Sequence, residues 1–282
     1  MQTIRVGGVP EHFNYPWHQS IKKNAFTAKG INLVWEDFPG GTGQMSEAIA
    51  NKEVDLAIML TEGSIKQICD GQDLRIVQKY VESPLLWGIY VDYSSDYQKI
   101  SDLENKTVAI SREGSGSHLM AYVNAKNENW NTQNLEFETA HHLKGAVEAL
   151  QEHRADYFMW EHFTTKPLVD KKVFKHIGNC PTPWPCFVIV GKNEFIQANQ
   201  IAIQKILEVV NQQTLGNLSK LNLAKEISAE YGLKEEDVQK WLKRTRWSQE
   251  QITTKEVETT LSELESLDLV QVSGGEEFFI KN

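Results

Sequence analysis

Short apolar runs alternate with stretches whose apolar positions fall at helical spacing along the first two thirds of the chain. TIRVGGV at 3–9, INLVWE at 31–36, VDLAIML at 54–60 and DLRIVQKY at 73–80 are predicted strands, and the intervening 16–29, 43–52 and 63–71 are predicted helices. A second series has the same cadence, with strands at 107–111, 135–138, 156–160 and 173–177 and helices over 115–130, 143–153 and 165–171. Between the two series, LLWGIYVD at 85–92 is apolar but breaks the alternation, and a polar connection over 93–106 follows it. CFVIVG at 186–191 is its counterpart at the far end of the second series. Beyond it the pattern turns helical, in IAIQKILEVVNQ at 201–212 and again over 219–231, 235–245 and 253–267.

The two series repeat each other. SEAIANKEVDLAIML places Ala48 seven residues before Asp55, and KGAVEALQEHRADYFMW places Ala149 seven residues before Asp156, which lies 101 positions after Asp55. Each half therefore reads as helix, tight turn and buried strand, a βαβ plan that calls for a right-handed crossover and a parallel sheet covered by helices. Two such units predict an α/β protein of two Rossmann-like lobes joined by a two-strand hinge. The first lobe is discontinuous, 1–90 and 191–282 with the C-terminal helices, and 91–190 is inserted as the second. Hinged lobes enclose a cleft that can shut on a ligand.

Composition narrows the function classes. The 282 residues exceed the size at which one core usually stops growing, and 40% apolar with 24% charged residues is ordinary for a globular protein. A net charge of −9 argues against broad electrostatic gripping of nucleic acid. Cys69, Cys180 and Cys186 form neither an all-paired disulfide framework nor a zinc-site spacing, so reduced thiols and no metal are expected. The start MQTIRVGG runs directly into a strand without an export-signal pattern, so the expected location is cytoplasmic, or periplasmic or lipid-anchored if a leader was removed. No stretch is apolar enough to span a membrane.

RVGGVPEHFNYPW at 5–17, FPGGTGQM at 38–45, EVDLAIMLTEG at 53–63, SPLLWGIYV at 83–91 and ISREGSGSHLMAY at 110–122 together resemble the type 2 periplasmic-binding-protein family. The similarity is to its sulfonate, nitrate and thiamine-pyrimidine binding branch, and the form GVPEHFNYPWH resembles a leaderless cytosolic subgroup found in fungi and bacteria. The resemblance covers most of the chain and implies a solute-binding protein, without naming the ligand or any transporter partner.

In open α/β sheets ligands meet the loops beyond the carboxyl ends of the strands. That rule selects Glu11, His12, Phe13 and Asn14, then Gly41, Thr42 and Gly43, then Thr61 and Glu62 from the first lobe. From the second it selects Gly114, Ser115, Gly116 and Ser117, then Trp160 and Glu161, with Pro183 and Trp184 on the return path. EGSGS at 113–117 precedes a helix, where free N–H groups and hydroxyls suit a carboxylate, sulfonate or phosphate, although an ordinary helix cap needs the same residues. GGTG at 40–43 has the same two readings. Phe13, Trp160 and Trp184 are candidates to stack on a flat ring, whereas Trp17, Trp35 and Trp130 read as packing. Glu11, Glu62, Glu113 and Glu161 crowd these loops with Arg112 as their one nearby cation. This balance points to a polar heteroaromatic or amine-bearing ligand, such as a thiamine-pyrimidine precursor, over a small inorganic anion.

Two other classes compete. A thiamine-pyrimidine-synthase-like enzyme shares the fold, but the chain lacks a cysteine-rich run and other catalytic signatures, and Lys22 and Lys23 are its only Schiff-base candidates near the first strand. No catalytic residue and no cofactor is expected. NLAKEISAEYGLKEEDVQKWLKRTRW at 222–247 has a helix-turn-helix cadence, and 267–282 could imitate a winged hairpin. Glu235, Glu236 and Asp237 at the head of the second helix oppose a DNA role.

Overall fold

The computed structural model describes residues 1–217, 220–271 and 277–280. The first series folds as β1 (Gln2–Gly8), α1 (Tyr15–Lys22), α2 (Ala25–Ala28), β2 (Ile31–Asp37), α3 (Gly41–Ala50), β3 (Leu56–Leu60), α4 (Thr61–Cys69) and β4 (Leu74–Val81). The chain then crosses through β5 (Leu86–Asp92) into β6 (Thr107–Ile110), α5 (Gly116–Asn127), β7 (Glu136–Thr139), α6 (Leu143–Gln151), β8 (Tyr157–Glu161), α7 (His162–Asp170) and β9 (Phe174–Pro181). It returns as β10 (Phe187–Lys192) and closes with α8 (Asn193–Ala198), α9 (Gln200–Asn217), α10 (Leu223–Tyr231), α11 (Glu235–Arg244) and α12 (Thr254–Glu265).

The sheets run β2-β1-β3-β10-β4 and β7-β6-β8-β5-β9, five strands each. The two orders match position for position, so the sequence repeat extends to the sheet plan. Each sheet is mixed where a parallel one was expected: β10 is antiparallel to β3 and β4, and β5 is antiparallel to β8 and β9. The reason is directional. Parallel strands end at the cleft, so a strand arriving from the opposite lobe enters at those ends and runs back along them. Each lobe thus carries a strand supplied by the crossing. The expected boundaries at 90/91 and 190/191 fall inside β5 and β10, which pair in the second and first sheets respectively.

The repeated Ala and Asp have a structural purpose. Asp55 accepts the Arg5 N–H at 2.8 Å and its own N–H returns to Arg5 O at 2.9 Å. Asp156 does the same for Thr107, at 2.9 and 2.8 Å. These bonds pin the middle of β1 to the start of β3 and the start of β6 to the start of β8. Ala48 O and Ala149 O take the N–H groups of Glu53 and Arg154 at 2.8 and 2.9 Å, closing the preceding helices, with Lys52 and His153 in the left-handed region at φ +62° and +56°.

Two expected elements change. The helix predicted over 16–29 breaks where Asn24 turns left-handed at φ +53°, a conformation Asn tolerates. Helices α4 and α7 start directly from β3 and β8, so Thr61 and Glu62 stand in a helical first turn and not in a loop.

The C-terminal helices complete the first lobe. Trp241 of α11 is buried, 4.2 Å from the His12 ring and 5.1 Å from Phe13 between centroids. Phe13 O accepts from Tyr80 Oη at 2.8 Å and from Trp247 Nε1 at 3.1 Å. The helix-turn-helix-like pair α10–α11 therefore buttresses the loop after β1. Its basic residues are partly paired, Lys234 with Asp170, Lys240 with Asp237, and Arg246 just beyond it with Glu82. The hairpin read at 267–282 lies partly outside the described residues, and 278–280 run beside Ile76 of β4. Among the described residues no helix is long and apolar enough to cross a membrane.

Removing one clamp leaves a backbone N–H without its acceptor, so Asp55→Ala and Asp156→Ala should each lower stability by about 1–3 kcal/mol. Urea denaturation checks this, with Asp96→Ala, exposed on the 93–106 connection, as a silent control.

Candidate functional site

The cleft lies where the carboxyl ends of the two sheets face each other. From the first lobe Val9, Glu11, Gly40, Gly41, Thr42, Leu60 and Phe187 line a cavity, and from the second Leu85, Trp87, Ser111, Ser115, Gly116, Ser117, Trp160 and Glu161. Measured by the centres of the waters it would admit, the cavity is about 40 Å³. That is room for roughly three waters, so the lobes are closed.

Contacts across the cleft hold this form. Trp160 Nε1 donates to Glu11 Oε1 at 3.1 Å, and the Arg112 guanidinium donates to Gly40 O. Gly40 and Gly43 leave room for that side chain, since a Cβ at either would collide with the guanidinium. At Gly116 a Cβ would run into Leu60 from the first lobe, so close approach demands glycine there. Outside the cleft, Lys126 pairs with Glu263 at 2.7 Å and Lys234 with Asp170 at 2.8 Å, each joining an element of the second lobe to a C-terminal helix.

Two helix N-termini point at the cavity. Ser115 caps α5 by accepting from His118 N–H at 3.4 Å, and Ser117 Oγ accepts the Ser111 N–H at 2.9 Å while lying 3.1 Å from Ser115 Oγ. Gly41, at φ +71°, turns the chain into α3, whose Thr42 Oγ1 accepts from Leu60 N–H at 3.2 Å. The first N–H groups of both helices have no acceptor within their helices. Trp87, a residue of the cavity wall, carries a buried indole N–H that has no partner among the described residues.

Three glutamates are buried at or beside the cavity. Burial, reinforced by the charge of Glu161, pushes the Glu11 carboxyl up to about 8. Burial pushes Glu161 up to about 7 against the Thr164 N–H it accepts at 2.6 Å. Glu62 is also raised by burial to about 7; its Oε2 accepts from Trp184 Nε1 at 2.6 Å and its Oε1 has no partner. Burial lowers the His12 ring to about 3, keeping it neutral.

The structure brings Glu11, Gly41, Thr42, Ser115, Gly116, Ser117, Trp160 and Glu161 together. His12, Phe13 and Asn14 are buried beneath the cavity, Asn14 donating to Val9 O at 2.8 Å. Gly43 faces Arg112, Thr61 bonds Cys186 O through its N–H at 3.0 Å, and Glu62 lies against Trp184 behind the wall. Gly114 shapes the loop at φ +72°, and Pro183 is exposed. Lys22 and Lys23 sit on the surface, bonded to Glu230 and Gln213. Leu85, Trp87 and Phe187 escaped the sequence reading because apolar residues on crossing strands look like core. Ser111 and Gly40 are neighbours of selected loops, and the same strand-end rule reaches them. Among the described residues no three His, Cys, Asp or Glu side chains gather as metal ligands would.

Paired five-stranded lobes, exchanged strands and a cleft at the strand ends make this a type 2 periplasmic-binding-protein fold. Residues 87–180 match the family model described as Ca3427-like PBP. The chain is similar over 100% of its length to 99% of the Candida albicans CA3427 gene product, at TM-score 0.89 and 23% identity; that protein defines a family with the generic periplasmic binding protein fold. The alkanesulfonate-binding protein SsuA from Xanthomonas axonopodis pv. citri, bound to MOPS, is similar at TM-score 0.80 and 17% identity, over 96% of this chain and 95% of that one. The aliphatic sulphonate binding protein SsuA from Escherichia coli gives 0.69 and 15%, over 100% and 97%. No curated protein matches the chain in sequence.

The buried glutamates set a pH dependence of stability. Their folded values exceed the unfolded one, so they stabilise fully below about 4.5 and lose that contribution as pH rises through about 7 to 8. His12, His18, His118 and His162, all lowered by burial, act in the opposite sense but only below about 6.5. Between pH 6.5 and 8 the urea midpoint should therefore fall, and Glu11→Gln should make that fall shallower.

Proposed function

We propose that the protein binds a small solute by closing its two lobes over it, without altering it chemically. The carrying observation is the unpartnered Trp87 N–H in a cavity wall that also presents the N-termini of α3 and α5. A wall that presents such donors suits a ligand that offers acceptors. A compact oxyanionic head group, carboxylate or sulfonate, meets that need, and the likeness to SsuA proteins, whose names record sulfonate binding, supports it.

The expectation of an amine-bearing ligand rested on counting four glutamates as negative charges. Glu113 is exposed and outside the cavity lining, Glu62 lies behind the wall, and Glu11 and Glu161 are raised toward the neutral form. That weakens the case for an amine and leaves the heteroaromatic reading standing. Trp87 and Trp160, edge to face at 6.4 Å on neighbouring strands of the second sheet, offer a ring an aromatic surface.

Mass spectrometry of the small molecule released on denaturing the purified protein tests the reading, followed by calorimetry with alkanesulfonates, carboxylates and aminopyrimidines. An oxyanionic ligand should bind near micromolar, about −8 kcal/mol. Trp87→Phe, which keeps the ring and removes the donor, should weaken it about tenfold or more. Absence of both released and added ligand rejects solute binding, and preference for the aminopyrimidine restores the heteroaromatic ligand.

A further inference from the structure

Glu11 and Glu161 come from different lobes and are both buried at the closed cleft. Glu11 follows β1 of the first sheet, and its carboxyl takes the indole N–H of Trp160 in the second. Glu161 is the next residue of β8 and lines the same cavity, with 3% of its surface exposed against 7% for Glu11. Among the described residues the groups around the pair supply no balancing cation. Glu62 of α4 and Cys186, just before β10, lie on one side, Tyr231 of α10 and Tyr90 of β5 on others, and the His12 and His162 rings are kept neutral by burial. Arg112 is turned to Gly40 O at the rim.

Two carboxylates in one water-poor cavity repel strongly, and hydration relieves that repulsion. Separating the lobes breaks the Trp160–Glu11 bond and returns both groups to water. We propose that closure takes up a proton at the Glu11–Glu161 pair, so that solute is captured together with a proton and released by a rise in pH. This rests on the closing-cleft reading above. The values near 8 and 7 of the two carboxyls place the response between neutral and mildly alkaline pH. One linked proton changes the closed-to-open ratio about tenfold per pH unit where the open form is ionised and the closed form protonated.

Small-angle scattering on the dialysed full chain between pH 6 and 9, with no ligand added, reads the lobe separation. The wild type should be more compact at pH 6 than at pH 9, and Glu11→Gln should lose that response. Glu161→Gln is the second variant, and circular dichroism confirms that each is folded. A wild-type radius of gyration unchanged across the range, or an equal response in both variants, overturns the proposal. Opening with pH in a chain that retains no solute would sink the binding function alone. Solute binding with a pH-independent radius would sink the proton coupling alone.

Discussion

Everything in the molecule follows from the direction in which strands meet the cleft. Parallel strands of both lobes end at the same gap, so the chain can pass between lobes only from those ends. The two crossing strands consequently lie antiparallel within the sheet they enter, β5 between β8 and β9 and β10 between β3 and β4. Each lobe's core thus holds a strand that arrives directly from the crossing. A relative movement of the lobes must be absorbed in the few residues before β5 and β10, because the strands themselves are locked into ladders on both sides.

The same constraint explains the electrostatics. Loops at the strand ends carry polar residues that face water while the lobes are apart, and closure removes that water. Where the partner is a helix N-terminus or an indole N–H, a carboxyl or a ligand acceptor is accommodated. Where the partner is another carboxyl, the charge itself is disfavoured, and the group holds its proton instead. Glu11, Glu62 and Glu161 each have a neutral donor bonded to them and are each raised by burial, and Glu11 alone is raised further by a second carboxyl, that of Glu161.

The lobe plan was legible because its signals are local. Strand and helix periods, and the Ala-to-Asp spacing that proves to be a helix closure plus a strand clamp, all lie within a few residues of chain. The strand-end rule also selects Glu11, Thr42, Ser115, Ser117, Trp160 and Glu161, which line the cavity. What it missed depends on distant neighbours. Trp87 resembles any core aromatic until the unpaired N–H is seen, and Trp184 turns away from the cavity because Glu62 takes its N–H. Charge counting is limited for a related reason: the sequence does not show that burial opposes the negative charge of Glu11 and Glu161. The antiparallel strands were hidden because an apolar run carries no mark of its direction.

The two clamp aspartates sit just before β3 and β8, at the ends of those strands opposite the cavity. Foundations and mouth are therefore mechanically separate. Side chains around the opening can be exchanged without unsettling strand alignment, which gives the architecture freedom to acquire new solutes while its frame stays intact.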